Sequence, residues 1–242
     1  MRAETRHQLK QDRFSRVTFE AAGSAAHWTA EHQTKLLFGV IAVIVIGAIA
    51  FGGWYYVNTQ DEKASLDLSK AVRTFGTPIR PPGVPAQPGY ETFASAQERN
   101  TLARKQFQDV VDKYPHTRTA DMARYFVGLA SIQLSDYATA ERNLQEAANS
   151  SNSDLAALGK FALASVYRAE NKDQQAIDLY KQLINKPTLV VSKATAQLEL
   201  AGYYEAKQQP AEAKKIYDQI AKDNPSTEAG TLAQRKSASL KQ

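Results

Sequence analysis

Cysteine is absent from the chain, which removes disulfide frameworks, thiolate zinc sites and cysteine nucleophiles together, without locating the protein in a compartment. Histidine is scarce: His7, His27 and His32 lie in the N-terminal tail and His116 in a turn. The spacing of His27 and His32 does not suit one helical face, so no metal site is expected. There is no Gly-rich phosphate loop, GxSxG elbow or HExxH pair. The acids stand singly, often four residues from a lysine, as in Asp109 with Lys113 and Asp218 with Lys222, a spacing that serves a solvated helix face. The chain therefore reads as non-catalytic, with no cofactor and no small-molecule substrate. A net charge of only +5, with basic residues alternating with acids, argues against a nucleic-acid partner. Outside one segment there are few β-branched runs and much Ala, Gln, Glu and Lys, so the soluble part should be all-α.

That one segment is residues 36–57, LLFGVIAVIVIGAIAFGGWYYV, which holds no charge, carboxamide or proline. At ~1.5 Å rise per residue it covers roughly the ~30 Å hydrocarbon core of a bilayer. A polar stretch, residues 1–35, precedes it, which is too long for the basic n-region of a cleaved signal peptide. The reading is an uncleaved single-pass anchor. Lys35 at one end and Trp54, Tyr55 and Tyr56 at the other are placed as membrane-interface residues. The basic residues of the short tail (Arg2, Arg6, Lys10, Arg13, Arg16 and Lys35) put the N-terminus in the cytoplasm by the positive-inside rule. Residues 58–75 then read as a juxtamembrane helix. Residues 76–90 hold five of the nine prolines and read as an extended spacer that sets distance from the membrane. Residues 91–242 are left as the soluble domain.

Three segments of that domain, 122–147, 158–183 and 195–220, superpose without gaps at a period of 36 to 37. Each has a small residue (Gly128, Ala164, Ala201), an alanine twelve positions later (Ala140, Ala176, Ala213) and a large apolar residue four after that (Leu144, Tyr180, Tyr217). Two add a tyrosine three after the small residue, Tyr167 and Tyr204. Such spacing implies antiparallel helix pairs whose small residues let backbones approach while the large residue fills the gap. Each pair leaves an apolar face that the next pair closes, so ends must be atypical. Upstream, a helix from about Tyr90 to Tyr114 carries a half-repeat, Ala103, Phe107, Val110 and Pro115. Downstream, Pro225 stops the third pair and a last helix turns polar toward Gln242.

The pattern resembles the tetratricopeptide repeat, most fully at Ala201, Tyr204, Ala213, Tyr217 and Pro225; the first unit departs from it at Arg124 and Ser131. The resemblance implies a solenoid whose first helices line a concave protein-binding groove. Carried over by position, that groove consists of Met122, Tyr125 and Leu129, then Leu158, Phe161, Ser165 and Arg168, then Leu198, Gly202 and Glu205. It should be largely apolar, without a basic clamp for a C-terminal carboxylate. Tyr125, Phe161 and Leu198 either face a partner or pack against a terminal helix. The wider layout, with Trp28 before the span and Gly53, Trp54 and Tyr55 at its end, resembles the ancillary SecYEG translocon subunit family, the YfgM-like proteins. That resemblance implies a bacterial inner-membrane anchor, a periplasmic repeat domain, and the translocon and periplasmic chaperones as partners. The stretch FQDVVDKYPHTRTADMARYFVGLA is also similar to repeats of outer-membrane assembly lipoproteins and the Tol-Pal division coordinator, which implies an envelope-assembly or division scaffold instead.

Overall fold

The structure, a computed structural model, describes residues 33–240. The tail before Gln33, with Trp28 and its arginines, lies outside the described residues, as do the last two positions. Two compact units divide between Tyr56 and Val57, and helix α1, Gln33–Gly76, runs through the division. In the first unit the helix carries an unbroken row of exposed apolar side chains, from Leu37 and Phe38 to Trp54 and Tyr55. Among the described residues it is the one helix long and apolar enough to cross a membrane. Lys35, Trp54, Tyr55 and Tyr56 are all exposed on it.

The second unit is helical. After α1 come α2 (Ala96–Lys113), α3 (Arg118–Gln133), α4 (Tyr137–Ala148) and α5 (Ser153–Ala169). Then follow α6 (Asp173–Asn185), α7 (Lys193–Ala206), α8 (Pro210–Asp223) and α9 (Glu228–Ser239). Side chains that accept from backbone N–H groups start most of these helices: Ser95, Thr117, Asp136, Asn152, Ser192 and Thr227. Each satisfies a donor that the helix itself cannot, a contribution of roughly 1 kcal/mol per cap. Pro210 opens α8, where its missing N–H costs nothing.

Packing follows the spacing of small and large residues. In α3–α4 a side chain added at Gly128 would run into Leu144, and Leu144 reaches on to Leu163 and Val166 of the next pair. In α5–α6 the fully buried Tyr180 sits with Ala164 of its own pair and with Ala196 and Leu200 of α7. In α7–α8, Tyr217 sits with Ala201 and with Ala233 of α9. One large residue per pair thus bridges its partner helix and the following unit, each burial removing an apolar side chain from water for about 2–3 kcal/mol. Helix α9 closes the stack against α8 and α7.

The turn between the helices of each pair also repeats. Ser135, Asn171 and Gln208 adopt left-handed backbone, with φ of 59°, 56° and 57°. The next amide donates to a carbonyl five residues back: Asp136 to Ser131, Lys172 to Tyr167 and Gln209 to Tyr204. Glycine is the residue that takes this conformation without a Cβ penalty. Gln208→Gly is accordingly expected to raise stability by about 0.5–1 kcal/mol, seen as a higher midpoint in thermal unfolding followed by circular dichroism.

Two expectations are corrected here. The helix expected from about Tyr90 begins at Ala96, because Ser95 accepts from the Glu98 amide while the Glu98 carboxylate accepts from Ala94. And the Pro-rich segment is a closed connection, not an extended spacer after the juxtamembrane helix. Before it, α1 already packs into the folded unit: Ala64 lies buried with Val110, Val111 and Ala123, and Ala71 with Ala103, Phe107 and Val127. The half-repeat of α2 finds its missing half in the end of α1. The prolines lie in the connection between these two helices, whose ends are tied by Arg80 N–H to the Phe93 carbonyl and Phe93 N–H to the Pro78 carbonyl. Within it, Gly83 and Gly89, at φ of 79° and 82°, form two successive turns closed by Val84 N–H to Pro81 and Tyr90 N–H to Gln87. Pro followed by Gly at the turn centre suits this geometry, and it folds the chain back on itself.

Candidate protein-interaction face

The first helices of the pairs, α3, α5 and α7, present the residues that the repeat positions single out. Met122, Tyr125, Leu129, Leu158, Phe161, Leu198, Gly202, Arg168 and Glu205 are half-buried and Ser165 is exposed. The large apolar side chains among them are packed against the core without being fully buried. Tyr125 and Leu129 lean on the cluster around Leu144 and Leu163. Leu158 and Phe161 lean on the cluster around Tyr180, with Phe161 edge-on to the Tyr180 ring at 6.3 Å. Burial pushes the Tyr125 phenol above its ordinary range, so it stays neutral. Leu198 alone shares a cluster with Ala229 and Ala233 of the terminal helix; Tyr125 and Phe161 belong to other clusters.

Arg168 and Glu205 are engaged in holding the stack, not turned out as ligand groups. Arg168 Nη1 donates to Glu199 Oε2 at 2.9 Å and to the Tyr180 hydroxyl at 3.3 Å. One repeat later Glu205 accepts from the Tyr217 hydroxyl at 3.0 Å and from Lys236 Nζ at 3.2 Å. These are one structural position with the charges reversed: both ion pairs join residues 31 apart in sequence. The corresponding residues of the first pair, Ile132 and Ala162, are apolar and lie in one cluster. A unit stacked out of order would set like charges together or leave a charge against Ala162. Glu199→Arg is therefore expected to cost about 1 kcal/mol, the exposed-pair range, and the exchange Arg168→Glu with Glu199→Arg to restore most of it, measured by urea unfolding of the four variants of the cycle.

The face extends beyond the positions named by the repeat pattern. Leu68 and Phe75 of α1 pack beside Ala71 and Phe107, with Val72 exposed next to them. Phe126 stacks on Phe107 at 5.0 Å and touches Tyr125 edge-on at 5.5 Å. Two polar ties hold α1 there: Asp61 Oδ1 accepts from the Thr119 amide at 3.0 Å, and the Tyr114 hydroxyl donates to Asp67 at 3.1 Å. Lys70, Tyr114 and Lys113 together outweigh the cost of burial and hold the Asp67 carboxyl below its ordinary range. The signal for α1 in the sequence is the helical spacing of Ala64, Leu68, Ala71 and Phe75. No cluster of three or more metal-ligating side chains occurs among the described residues.

A family model described as a tetratricopeptide repeat-like domain matches residues 26–242. No curated protein matches the chain. Among solved structures, a Podosopora anserina protein described as a kinesin light chain with nearly identical TPR-like repeats superposes with a TM-score of 0.56. It shares 16% identity, over 74% of this chain and 85% of its own, a likeness of fold alone.

Proposed function

From the premise that this chain belongs to the tetratricopeptide repeat-like domain family, whose repeats serve as protein-interaction scaffolds, we propose that it is a membrane-anchored, non-catalytic adapter. Residues 36–57 hold it in a bacterial inner membrane with the N-terminus in the cytoplasm. Residues 58–242 work on the periplasmic side, where the first-helix face captures protein partners. The partners that the sequence layout favours are the SecYEG translocon and periplasmic chaperones, with assistance to translocation or chaperone hand-over as the role. The observation that supports the reading is the row of apolar side chains on the first helices, Met122, Tyr125, Leu129, Leu158 and Phe161, that are only half-buried. Anchoring raises the local concentration of such a face at the membrane, so modest affinity suffices.

The test is photo-crosslinking in cells from a reactive amino acid at position 125 or 161, with protease added to spheroplasts in parallel. A translocon subunit or chaperone should be captured, capture should fall about tenfold in Tyr125→Asp and Phe161→Asp, and the repeat domain should be degraded from outside. Protection of the domain would remove the translocon reading. Capture of outer-membrane or septal components instead would favour the envelope-assembly or division scaffold.

A further inference from the structure

Two clefts flank the first two turns of α5. One is lined by Leu68, Arg118, Met122 and Leu155, the other by Ala157, Lys160, Leu183, Lys186 and Leu189. Both mix apolar side chains and polar groups with cations that have no ion pair among the described residues: Arg118 in the first, Lys160 and Lys186 in the second. The acids nearby do not cancel them. Asp121 is already held by Arg124 at 2.8 Å and by the Ser150 hydroxyl, and Asp154 stands alone against two lysines. At the second cleft Leu189 is 98% exposed, with the exposed Val190 beside it. Exposed leucine beside unpaired lysines is the complement of a segment that is apolar on one side and acidic on the other.

We propose that the partner segment bound by this protein is amphipathic and acidic. It lies along the N-terminal edge of α3 and α5, with its apolar side chains between Met122 and Leu189 and its carboxylates against Arg118, Lys160 and Lys186. This rests on the adapter reading and specifies its ligand. Charge at such a rim sets the rate of encounter and the choice of partner, and it weakens with salt over a Debye length of about 10 Å.

The probes are three labelled peptides of one helical design, leucine on one face and glutamate, glutamine or lysine on the other, titrated by fluorescence anisotropy against the full-length protein in nanodiscs of neutral lipid. The glutamate peptide should bind about tenfold tighter than the glutamine peptide, lose that margin in Arg118→Glu with Lys160→Glu, and weaken with added salt. Lys181→Glu with Lys215→Glu, exposed lysines of α6 and α8, should leave it unchanged. Equal binding of the glutamate and lysine peptides, an equal loss in the Lys181 and Lys215 variant, or no binding of the glutamate peptide overturns the proposal. If charge has no effect but Tyr125→Asp and Phe161→Asp weaken the glutamine peptide, the adapter reading stands and the acidic ligand falls.

Discussion

Tyr180→Ala is expected to unfold the repeat array at a denaturant midpoint far below wild type, a loss of about 4 kcal/mol. Tyr180 is fully buried, and its ring lies between Ala164 of its own pair and Ala196 and Leu200 of the next. Truncation leaves a cavity at the joint between two units, where no neighbour can collapse without moving a helix. It also strips the Arg168 guanidinium of one hydrogen-bond partner. Tyr180→Phe separates the two effects: the ring stays, Arg168 keeps Glu199, and the expected cost is about 1 kcal/mol. Urea unfolding followed by far-ultraviolet circular dichroism measures both. In stacked repeats a broken joint uncouples its neighbours, so the alanine variant should also show a shallower, less cooperative transition. A loss equal in the two variants would mean that the hydroxyl, not the ring, carries the joint.

The second large effect comes from glycine. Gly159→Ala is expected to cost about 3 kcal/mol, whereas Gly202→Ala should be neutral or stabilise by up to about 1 kcal/mol. Both glycines sit inside helices, where alanine is intrinsically better. The difference lies in what a methyl group would meet. At Gly159 it would come within 2.6 Å of the Ala148 nitrogen and 2.8 Å of the Ala147 carbonyl carbon. These are backbone atoms, which yield only if α4 and α5 move apart. At Gly202 it would meet only the Tyr217 hydroxyl at 3.9 Å, an ordinary contact. Gly202 is also on the proposed binding face, so Gly202→Ala gives a folded variant with a changed ligand surface. Thermal unfolding of the two variants side by side decides the point.

Much of the array was legible in the sequence because its determinants are local. Ala164, Ala176 and Tyr180 lie within one pair of helices, and their spacing states which faces must meet. The end of α1 was harder to read. Its partner α2 begins at Ala96, and the long Pro- and Gly-containing connection between them replaces the three-residue turns within the other pairs. A period search depends on constant spacing, so Ala71 and Ala103 do not register as one repeat although they touch. The partners of Arg168 and Glu205 were not legible for a related reason. Their positions fit a groove, but which residues they pair with depends on Glu199 and Lys236 of the following units.

The sequence alone determined helix type, pair spacing and the long apolar run of α1, because these follow from residue periodicity over one or two turns and from hydrophobic length. Only the tertiary structure decided that the segment after that run belongs to the repeat fold, that the prolines form a closed connection, and that Arg118, Lys160 and Lys186 have no ionic partner among the described residues. Each of these depends on contacts between residues far apart in the chain, and loop closure, helix stacking and charge pairing bring such residues together without leaving any regular interval between them.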